Sequence, residues 1–354
     1  MIKLNIQEKG YQAVRRLFGI VNQCLLRDYE SVVHAGQYML SRFNIPQFYL
    51  GYSRYLNALN LKRRVFHLEF DSPITFAAFE SHLDSLQFWL QLGCGGGCLK
   101  TIKCHPEFGN PRPRLQQLFI NGNEHLLNAL GLPGPGVTGL IEQVATHSIQ
   151  HTNRPLGFSI GGHELAEYKQ AIDEVLEDGV HLLRQPYIEL NISCPNTSTG
   201  QSLHDNLTGL EALLTYVREK NKTIVIVIKV SPDANDANLC AIAELASSVP
   251  FVTINAGNTQ FKRLGEVGLS EGKISIGGGG LSGPLLFERT LAMARVLAPF
   301  KLPLISTGGV SSVSQVQALL DCNVAVVGIA TQLVKNPFSI VKMNQTLAKN
   351  NGPG

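Results

Sequence analysis

Eight short runs of apolar and β-branched residues recur along the chain beyond residue 66 and predict a parallel β-sheet. Each run ends near Gly, Asn, Lys, Ser or Thr. Near-continuous apolar strands indicate burial on both faces, as in a sheet that helices cover. The runs are Ile74–Ala78, Gly97–Thr101, Leu156–Ile160, Tyr187–Ile192, Ile224–Val230, Phe251–Asn255, Leu304–Thr307 and Val324–Gly328.

Stretches with helical periodicity separate most of these runs. Eight strands with helices between them favour a closed (β/α)8 barrel, a TIM barrel of the α/β class. A doubly wound sheet is the alternative, but no GxGxxG turn follows the first strand. Two further hydrophobic runs, 66–70 and 117–120, predict small hairpins outside the barrel. The predicted helices are Glu164–Glu177, Gly209–Lys220, Asp236–Ser247, Pro284–Leu297 and Ser314–Leu320.

The first part of the chain has a different pattern, which predicts an N-terminal helical extension at 1–62 ahead of a barrel domain at 63–350. Helical periodicity runs from residue 10 to about 62, with a break at Pro46 and a second short helix over 49–56. One interpretation is a helical cap on the barrel. The other is a surface that meets a membrane or a partner.

Composition excludes some function classes. The chain has 354 residues, 44% hydrophobic and 16% charged, and its net charge of +3 with no Lys/Arg-rich run argues against a nucleic-acid partner. Seven cysteines and no predicted signal peptide favour free thiols in a reducing cytoplasm. Cys94, Cys98 and Cys104 lie close together but lack the CxxC pairs of a zinc or iron–sulfur site, so we expect no metal.

Glycine-rich segments lie near the ends of the last strands, where β/α barrels carry their chemistry. They are GGGGLSG at 277–283, STGGV at 306–310 and GIAT at 328–331. Glycine allows the backbone to approach phosphate oxygens, and loops after strands 7 and 8 form the usual phosphate site of this fold. Ordinary tight turns are the alternative for any one of them. Together, the three segments favour phosphate binding.

Two lysines are placed at predicted strand ends. Lys229 ends the apolar strand TIVIVIKV, so its side chain points into the barrel or its mouth. An ammonium there would stabilise the negative charge of a reduced flavin ring, whereas a buried ion pair that fills the barrel is the alternative. Lys100 has the same position on strand 2, and Lys103 is expected to be the surface member of that pair.

The segment ELNISCPNTSTG at 189–200 carries the most specific chemistry. Asn191 and Asn196 flank Cys194, and carboxamides suit a planar ligand with alternating C=O and N–H groups. A thiol titrates near neutral pH when positive charge is close, so Cys194 can accept a proton. Packing filler is the alternative for a lone Cys, although this one lies in a polar loop.

Taken together, these motifs resemble the dihydroorotate dehydrogenases, FMN enzymes of pyrimidine synthesis. The similarity covers about residues 70–345 and is carried by NISCPNT, GGLSGPL, STGGV and the stretch from Lys100 to Leu115. The resemblance implies that Cys194 removes a proton from C5 of dihydroorotate while hydride passes from C6 to the flavin. Positioning is then the main contribution of the protein.

The resemblance also implies sets of binding residues. Those implied for the flavin are Ala77, Ala78, Lys100, Thr101, Asn191 and Lys229. Those implied for the FMN phosphate are Gly280, Gly308, Gly309, Gly328, Ile329, Ala330 and Thr331. Those implied for orotate or dihydroorotate are Lys100, Asn128, Gly131, Leu132, Asn191, Asn196 and Asn255.

The resemblance is mixed between two classes of the family. A Cys base resembles the soluble class 1 enzymes, whereas the helical N-terminus, the 257–276 insertion and GGLSGPL resemble the membrane-associated class 2 enzymes that use quinone. The N-terminal helices favour quinone over fumarate as acceptor, with residues 1–62 in peripheral contact with the inner face of a membrane.

Three departures from the family pattern concern the substrate more than the cofactor. They are Phe79 in place of Gly, Ala256 in place of Ser or Thr, and LPGPG after Gly131. Dihydroorotate oxidation is the first hypothesis. A flavin oxidoreductase for another dihydropyrimidine, and an FMN-binding homologue without turnover, are the alternatives.

Overall fold

A computed structural model describes residues 2–21, 28–42, 59–193 and 206–350 of the protein. Its centre is a closed barrel of eight parallel strands, joined in the order in which they occur along the chain. The predicted (β/α)8 barrel with N-terminal helices is thereby confirmed. The barrel strands are β3 (Ile74–Phe76), β4 (Gly97–Ile102), β7 (Leu156–Ile160), β8 (Pro186–Asn191), β9 (Val225–Val230), β10 (Val252–Ala256), β13 (Leu304–Thr307) and β14 (Val324–Ile329).

Helices follow the barrel strands and bury one apolar face against them, as the sequence pattern predicts. The main ones are α3 (Leu83–Leu92), α4 (Gly136–Thr146), α5 (Leu165–Glu174), α6 (Leu207–Lys220), α7 (Asp236–Ser248), α8 (Phe287–Leu297), α9 (Val313–Leu320), α10 (Thr331–Lys335) and α11 (Ser339–Asn350). Short 3-10 or π turns are Ser148–His151, Val175–Gly179, Val180–Leu182, Leu264–Val267, Pro284–Leu286 and Ala298–Phe300.

A hairpin closes the amino-terminal end of the barrel. It consists of β1 (Arg63–Val65) and β2 (Leu68–Phe70), paired antiparallel. Val65, Leu68 and Phe70 pack in one buried cluster with the lower interior of the barrel, which includes Val225 and Val326. The sequence predicts this hairpin in the run 66–70. Because its apolar side chains fill the lower end, the polar interior positions lie only above them.

A second, antiparallel sheet lies outside the barrel near its carboxyl end. Its order is β11 (Gln260–Arg263), β12 (Gly278–Ser282), β6 (Asn123–Asn128) and β5 (Leu115–Ile120). The hairpin predicted around 117–120 is therefore β5–β6. The glycine-rich segment 277–283, which the sequence places near the end of a barrel strand, is mostly β12 of this outer sheet. Glycine is required there since a Cβ on Gly279 would lie 2.5 Å from the carbonyl oxygen of Asn128.

The extension begins with two helices, α1 (Ile2–Val21) and α2 (Glu30–Arg42). The expected start near residue 10 and the continuous helical pattern were wrong. Before α2, the chain turns toward the barrel: the Tyr29 amide donates to the Leu115 carbonyl at 3.0 Å, and the Glu30 amide donates to the Asp28 carboxylate at 3.2 Å. The second short helix, predicted over 49–56, lies outside the described residues. Within the described part of the chain, no helix combines the length and hydrophobicity needed to cross a membrane.

Candidate active site

The barrel interior is divided into an apolar lower layer and a polar upper layer. Side chains of alternate residues on a strand point to the same side, so Glu189 and Asn191 on β8 share the interior face. Lys229 on β9 pairs in register with both Asn191 and Asn255, and this places three predicted site residues side by side. The polar layer lies at the carboxyl ends of the strands, where this fold carries its chemistry.

A cleft that is open to solvent lies above the ends of β3, β13 and β14. Its wall combines apolar side chains with glycine-rich backbone and two lysines, Lys229 and Lys335. Predicted cofactor residues that line it are Ala77, Ala78, Lys229, Gly308, Gly309, Gly328, Ile329, Ala330 and Thr331. This lining suits a flat, mostly apolar ring that carries a polar edge and an anionic group.

Lys229 takes part in both arrangements that the sequence left open. Its side chain is buried, its Nζ lies 3.7 Å from Oε1 of Glu189, and it also lines the cleft. Glu189 is 1% exposed, so each of the two charges would be unfavourable without its partner. The ion pair therefore fixes a cation at the cleft wall, which is the position needed to stabilise negative charge on a ligand.

The glycine turns of the cleft satisfy two different requirements. A Cβ on Gly309, which has φ of 72°, would lie 2.3 Å from the backbone nitrogen of Phe287, so glycine allows α8 to pack closely on the turn. A Cβ on Gly328 would lie 2.4 Å from Oγ1 of Thr307, and both residues line the cleft. Gly328 therefore leaves the space beside the Thr307 hydroxyl open.

Two buried polar atoms at the site have no hydrogen-bond partner among the described residues. They are Oγ1 of Thr307 and Oδ1 of Asn255. Asn255 lines a smaller cavity that shares Ala77, Thr307 and Gly328 with the main cleft. Because unpartnered buried polar atoms are costly, these two atoms indicate positions where a ligand completes the hydrogen bonding. This observation, with the cleft lining, fits FMN and a small polar substrate.

Lys100 lies farther from the cleft wall than predicted. Its Nζ donates to the carbonyl of Pro133 at 2.8 Å, in the loop that contains Gly131 and Leu132. Burial lowers the pKa of Lys100, and Glu80 partly opposes this. The expectation that Lys103 is the surface member of the pair was wrong: its side chain is 10% exposed and pairs with Glu107 at 3.0 Å.

Several other predicted site residues do not line the cleft. Asn128 donates through Nδ2 to the carbonyl of Gly280 at 3.1 Å, and both belong to the antiparallel sheet. Gly131 and Leu132 have positive φ values of 73° and 54° and form the turn beside Lys100. The structure does not bring Gly280 to the cleft; Ser282 and Gly283, from the same motif, line it instead.

Thr101 and Asn191 belong to the buried polar layer below the mouth. Asn191 Nδ2 donates to Thr101 Oγ1 at 3.1 Å, and Asn191 Oδ1 accepts from Ser193 Oγ at 2.7 Å. Cys194 and Asn196 lie outside the described residues, so their roles stay predictions. Ser193, the last described residue before Cys194, also accepts a hydrogen bond from Asn258 at 2.7 Å.

Sequence reasoning missed Glu189, Ser159 and Asn258. The first two interrupt apolar strands at interior positions, and this is the signal that could have identified them. Two of the departures from the family pattern are also explained by packing. Phe79 lines the cleft and stacks on Trp89 with 5.2 Å between ring centroids, and Ala256 is fully buried in β10.

Helix α1 lies against one side of the cleft. Gln12 donates to the carbonyl of Lys335 at 3.0 Å, and Arg15 forms an ion pair with Glu124. Lys335 and Glu124 both line the cleft. The opposite face of the helix leaves apolar side chains in solvent: Ile6, Val14, Leu17 and Ile20 are all exposed.

Comparisons with known proteins agree with this geometry. Residues 60–350 match the family model described as dihydroorotate dehydrogenase. The dihydroorotate dehydrogenase (quinone) of Mycobacterium ulcerans is 33% identical over 258 residues, 71% of this chain and 69% of the relative. The corresponding enzyme of Chloroflexus aurantiacus (strain ATCC 29366 / DSM 635 / J-10-fl) is 29% identical over 310 residues, 84% of each chain.

Solved structures share the fold. DHODH from Eimeria tenella in complex with ferulenol superposes with a TM-score of 0.67 at 20% identity, covering 81% of this chain and 83% of that one. The ligand-free form from the same organism gives 0.68 at 18% identity, with coverage of 87% and 96%. With the family model matched over the whole barrel, the chain belongs to the dihydroorotate dehydrogenase family.

Proposed function

We propose that this protein oxidises dihydroorotate to orotate with bound FMN and passes the electrons to a quinone. The observation that carries the proposal is the set of groups at the cleft. A fixed ammonium, the unpartnered hydroxyl of Thr307 and glycine-rich turns line one cleft at the carboxyl end of the barrel, and the unpartnered oxygen of Asn255 belongs to a smaller cavity that shares residues with it. The quinone acceptor is supported by the two relatives described above, both of which are dihydroorotate dehydrogenases (quinone).

The residues present fit FMN. Ala77, Ala78 and Ile329 offer an apolar surface for a ring, and Lys229 offers a positive charge at its edge. Gly308, Gly309 and the turn 328–331 offer backbone for the phosphate. FMN supplies the two-electron acceptor that takes a hydride from C6 of the substrate. The role of the protein is to hold the substrate and this acceptor in contact and to remove one proton.

The proton is assigned to Cys194 and the substrate contacts to the polar layer. Cys194 accepts the proton from C5, and its reference pKa of about 8.5 makes it a usable base when a cation is near. Lys100 offers its ammonium to the carboxylate of dihydroorotate, which compensates part of the cost of burying that charge. Asn128, Asn191, Asn196 and Asn255 offer carboxamides to the ring carbonyl and N–H groups.

Anaerobic mixing with dihydroorotate tests the reaction. We expect the yellow purified protein to bleach, and Cys194→Ser to slow bleaching by about 100-fold at neutral pH and shift its pH dependence upward, because a hydroxyl is a weaker base. Stopped-flow absorbance from pH 6 to 10 measures both effects. Bleaching only by another dihydropyrimidine would identify a different substrate, and absence of bleaching by either would indicate a binding protein without turnover.

A substitution at Gly328 tests the cofactor site separately. A Cβ there would clash with Thr307 Oγ1 and intrude on the cleft, so we expect Gly328→Ala to weaken FMN binding at least tenfold. Gly265→Ala is the matched control, because a Cβ at Gly265 meets nothing within 4 Å. Fluorescence of released FMN measures the dissociation constant. Equal FMN affinity in the two variants, with both folded by circular dichroism, would remove this cleft from consideration.

We also propose that α1 provides the route by which quinone reaches the cleft from a membrane surface. The helix adjoins the cleft, and Leu17 and Ile20 on its outer face are 62% and 60% exposed. An exposed apolar stripe of this kind binds at a lipid interface without crossing it. Fumarate is the alternative acceptor, and it requires no membrane contact.

The double variant Leu17→Glu/Ile20→Glu tests this route. We expect activity with long-chain ubiquinone in vesicles to fall about tenfold, while activity with a short-chain soluble quinone stays unchanged. Asn5→Glu/Arg16→Gln is the control, because it changes the charge of α1 equally and keeps the apolar side chains. Equal losses in the two variants, or turnover with fumarate alone, would contradict the proposal.

A further inference from the structure

We propose that Glu189 is a positioning residue that sets the hydrogen-bond direction of the substrate site. It orients the carboxamide of Asn255 so that the oxygen, not the nitrogen, faces a ring N–H of the bound pyrimidine. The inference rests on the proposed function, because it assigns the chemistry that one site residue presents to that substrate. Glu189 itself acts through Asn255 and is not a catalytic residue.

Glu189 occupies the centre of the polar layer. Its Oε1 accepts from Ser159 Oγ at 2.9 Å, and its Oε2 accepts from Asn255 Nδ2 at 2.8 Å. Lys229 lies 3.7 Å from Oε1 and neutralises the charge of the carboxylate. The side chain is 1% exposed, so water does not compete for these contacts.

The acceptor-only character of a carboxylate determines the orientation of Asn255. A carboxamide has one accepting and one donating end, and only its NH2 group can face an ionised carboxylate. Oδ1 of Asn255 must therefore point the other way. It is buried there without a hydrogen-bond partner among the described residues, and Asn255 lines a small cavity that shares Ala77, Thr307 and Gly328 with the cleft. The group that completes this site must donate a hydrogen.

The same carboxylate determines the direction of a second chain of hydrogen bonds. Since Ser159 donates to Glu189, its oxygen is left to accept from the hydroxyl of Thr101, 2.8 Å away. The oxygen of Thr101 in turn accepts from Asn191 Nδ2 at 3.1 Å. The nitrogen end of the second carboxamide is thereby fixed toward the barrel wall.

This series of hydrogen bonds reaches Ser193, the residue before the predicted base in the sequence. With its nitrogen directed at Thr101, Asn191 presents Oδ1 to Ser193, whose hydroxyl donates at 2.7 Å. The oxygen of Ser193 accepts from Asn258 Nδ2 at 2.7 Å. Ser193 precedes Cys194 in the chain, so one buried carboxylate sets the donor and acceptor directions from the centre of the barrel to the residue before the base.

Glu189→Gln tests this directional role. Glutamine has nearly the same size, but its amide can donate to Asn255 Oδ1 as well as accept from Nδ2, so the Asn255 amide is free to reverse. The probes are orotate and two analogues in which each ring N–H in turn is replaced by an ether oxygen. In the flavin-bound full-length wild type, we expect calorimetry to show about 100-fold weaker binding of one analogue than of orotate. In Glu189→Gln, that ratio should fall at least tenfold.

Three further variants separate direction from general damage. Glu189→Asp keeps an acceptor-only group and should retain most of the discrimination. Asn255→Ala removes the presented oxygen and should lose the discrimination with Glu189 intact, which keeps the test valid if Glu189→Gln fails to fold. Thr253→Val is the control: Thr253 is fully buried on the strand of Asn255, and its hydroxyl donates to the Pro303 carbonyl at 3.1 Å. It should keep the wild-type ratio.

The outcomes distinguish the two levels of the proposal. Unchanged discrimination in Glu189→Gln or Asn255→Ala would overturn the role of Glu189 while leaving dihydroorotate oxidation in place. If the variants lose FMN affinity while the ratio of orotate to analogue affinity stays unchanged, the role of Glu189 is also overturned, because Asn255 would then face the flavin. A wild-type protein that binds neither orotate nor dihydroorotate would refute the proposed function itself.

Discussion

Lys100 is held in a position that is unfavourable for its charge. The side chain is largely buried beside the loop that contains Gly131, and desolvation lowers the pKa of its ammonium. A buried base with a lowered pKa destabilises the fold while it is charged. This cost is present below its folded pKa and disappears as pH rises toward the ordinary lysine value. Stability is given up where the substrate carboxylate is proposed to bind.

We therefore predict that Lys100→Met raises the melting temperature by about 2 °C at pH 7 and lowers orotate affinity at least tenfold. The gain in stability that we expect of the wild type as pH rises should also shrink in this variant, since the unfolded wild-type chain binds one more proton there than the folded chain does. Differential scanning fluorimetry and calorimetry measure these effects. Lys103→Met is the control: because Lys103 pairs with Glu107, this variant should not have a higher melting temperature than the wild type. A lower melting temperature for Lys100→Met would count against this account.

At the scale of single residues, the sequence identifies groups near strand ends better than groups inside the barrel. Lys229, Gly308 and Gly328 line the cleft as predicted. Glu189 was missed because a lone acidic residue within an apolar strand gives no indication of its partners. Those partners come from three other strands, and only the closed barrel brings them together.

Helix α2 is held against the antiparallel sheet by charged pairs. Arg114 donates to both oxygens of Glu30, at 2.8 and 2.7 Å, and the two side chains are 12% and 8% exposed. Arg112 pairs with Asp28 at the same corner. The hydrogen bonds from Arg114 hold the pKa of Glu30 below its usual value. These pairs join the extension to β5, where the motif GNPRPRL ends.

We predict that Arg114→Gln destabilises the protein by about 3 kcal/mol at pH 7, because it leaves a buried carboxylate without its bidentate partner. With a lowered folded pKa, the contribution of Glu30 is complete above its unfolded pKa and is lost as pH falls through the folded value. The difference between wild type and variant should therefore narrow below about pH 4.5. Urea unfolding at pH 7, 5 and 4 measures it. Arg64→Gln, at an exposed pair with Glu69, should change stability by less than about 0.5 kcal/mol.

At the scale of elements, the repeating pattern predicts the barrel strands within a residue or two. Period and burial are local properties, so they can be read along the chain. The strand β12 could not be predicted from its local sequence pattern, because the run at 277–280 has the composition of a turn. It becomes a strand because β6 and β11, distant in sequence, approach it closely on both sides.

At the scale of the whole molecule, the sequence predicts the barrel with its surrounding helices more accurately than it predicts the N-terminal extension. Alternation of apolar strands and amphipathic helices leaves few topologies other than a barrel. The break between α1 and α2 depends instead on tertiary contacts, including the hydrogen bond of Tyr29 to β5. The helical spacing of apolar residues continues across this break because α1 and α2 each bury one face against the rest of the protein.

The hairpin β1–β2 fills the base of the barrel, so the interior is a well with one entrance and not a channel with two. The reducing substrate and the electron acceptor must then both reach the proposed flavin from the open end of the barrel. We therefore expect a ping-pong mechanism, in which the oxidised pyrimidine dissociates before the electron acceptor binds. Double-reciprocal plots of the steady-state rate against one substrate, at several fixed concentrations of the other, should give parallel lines. The oxidised pyrimidine should inhibit competitively against the electron acceptor that binds after it.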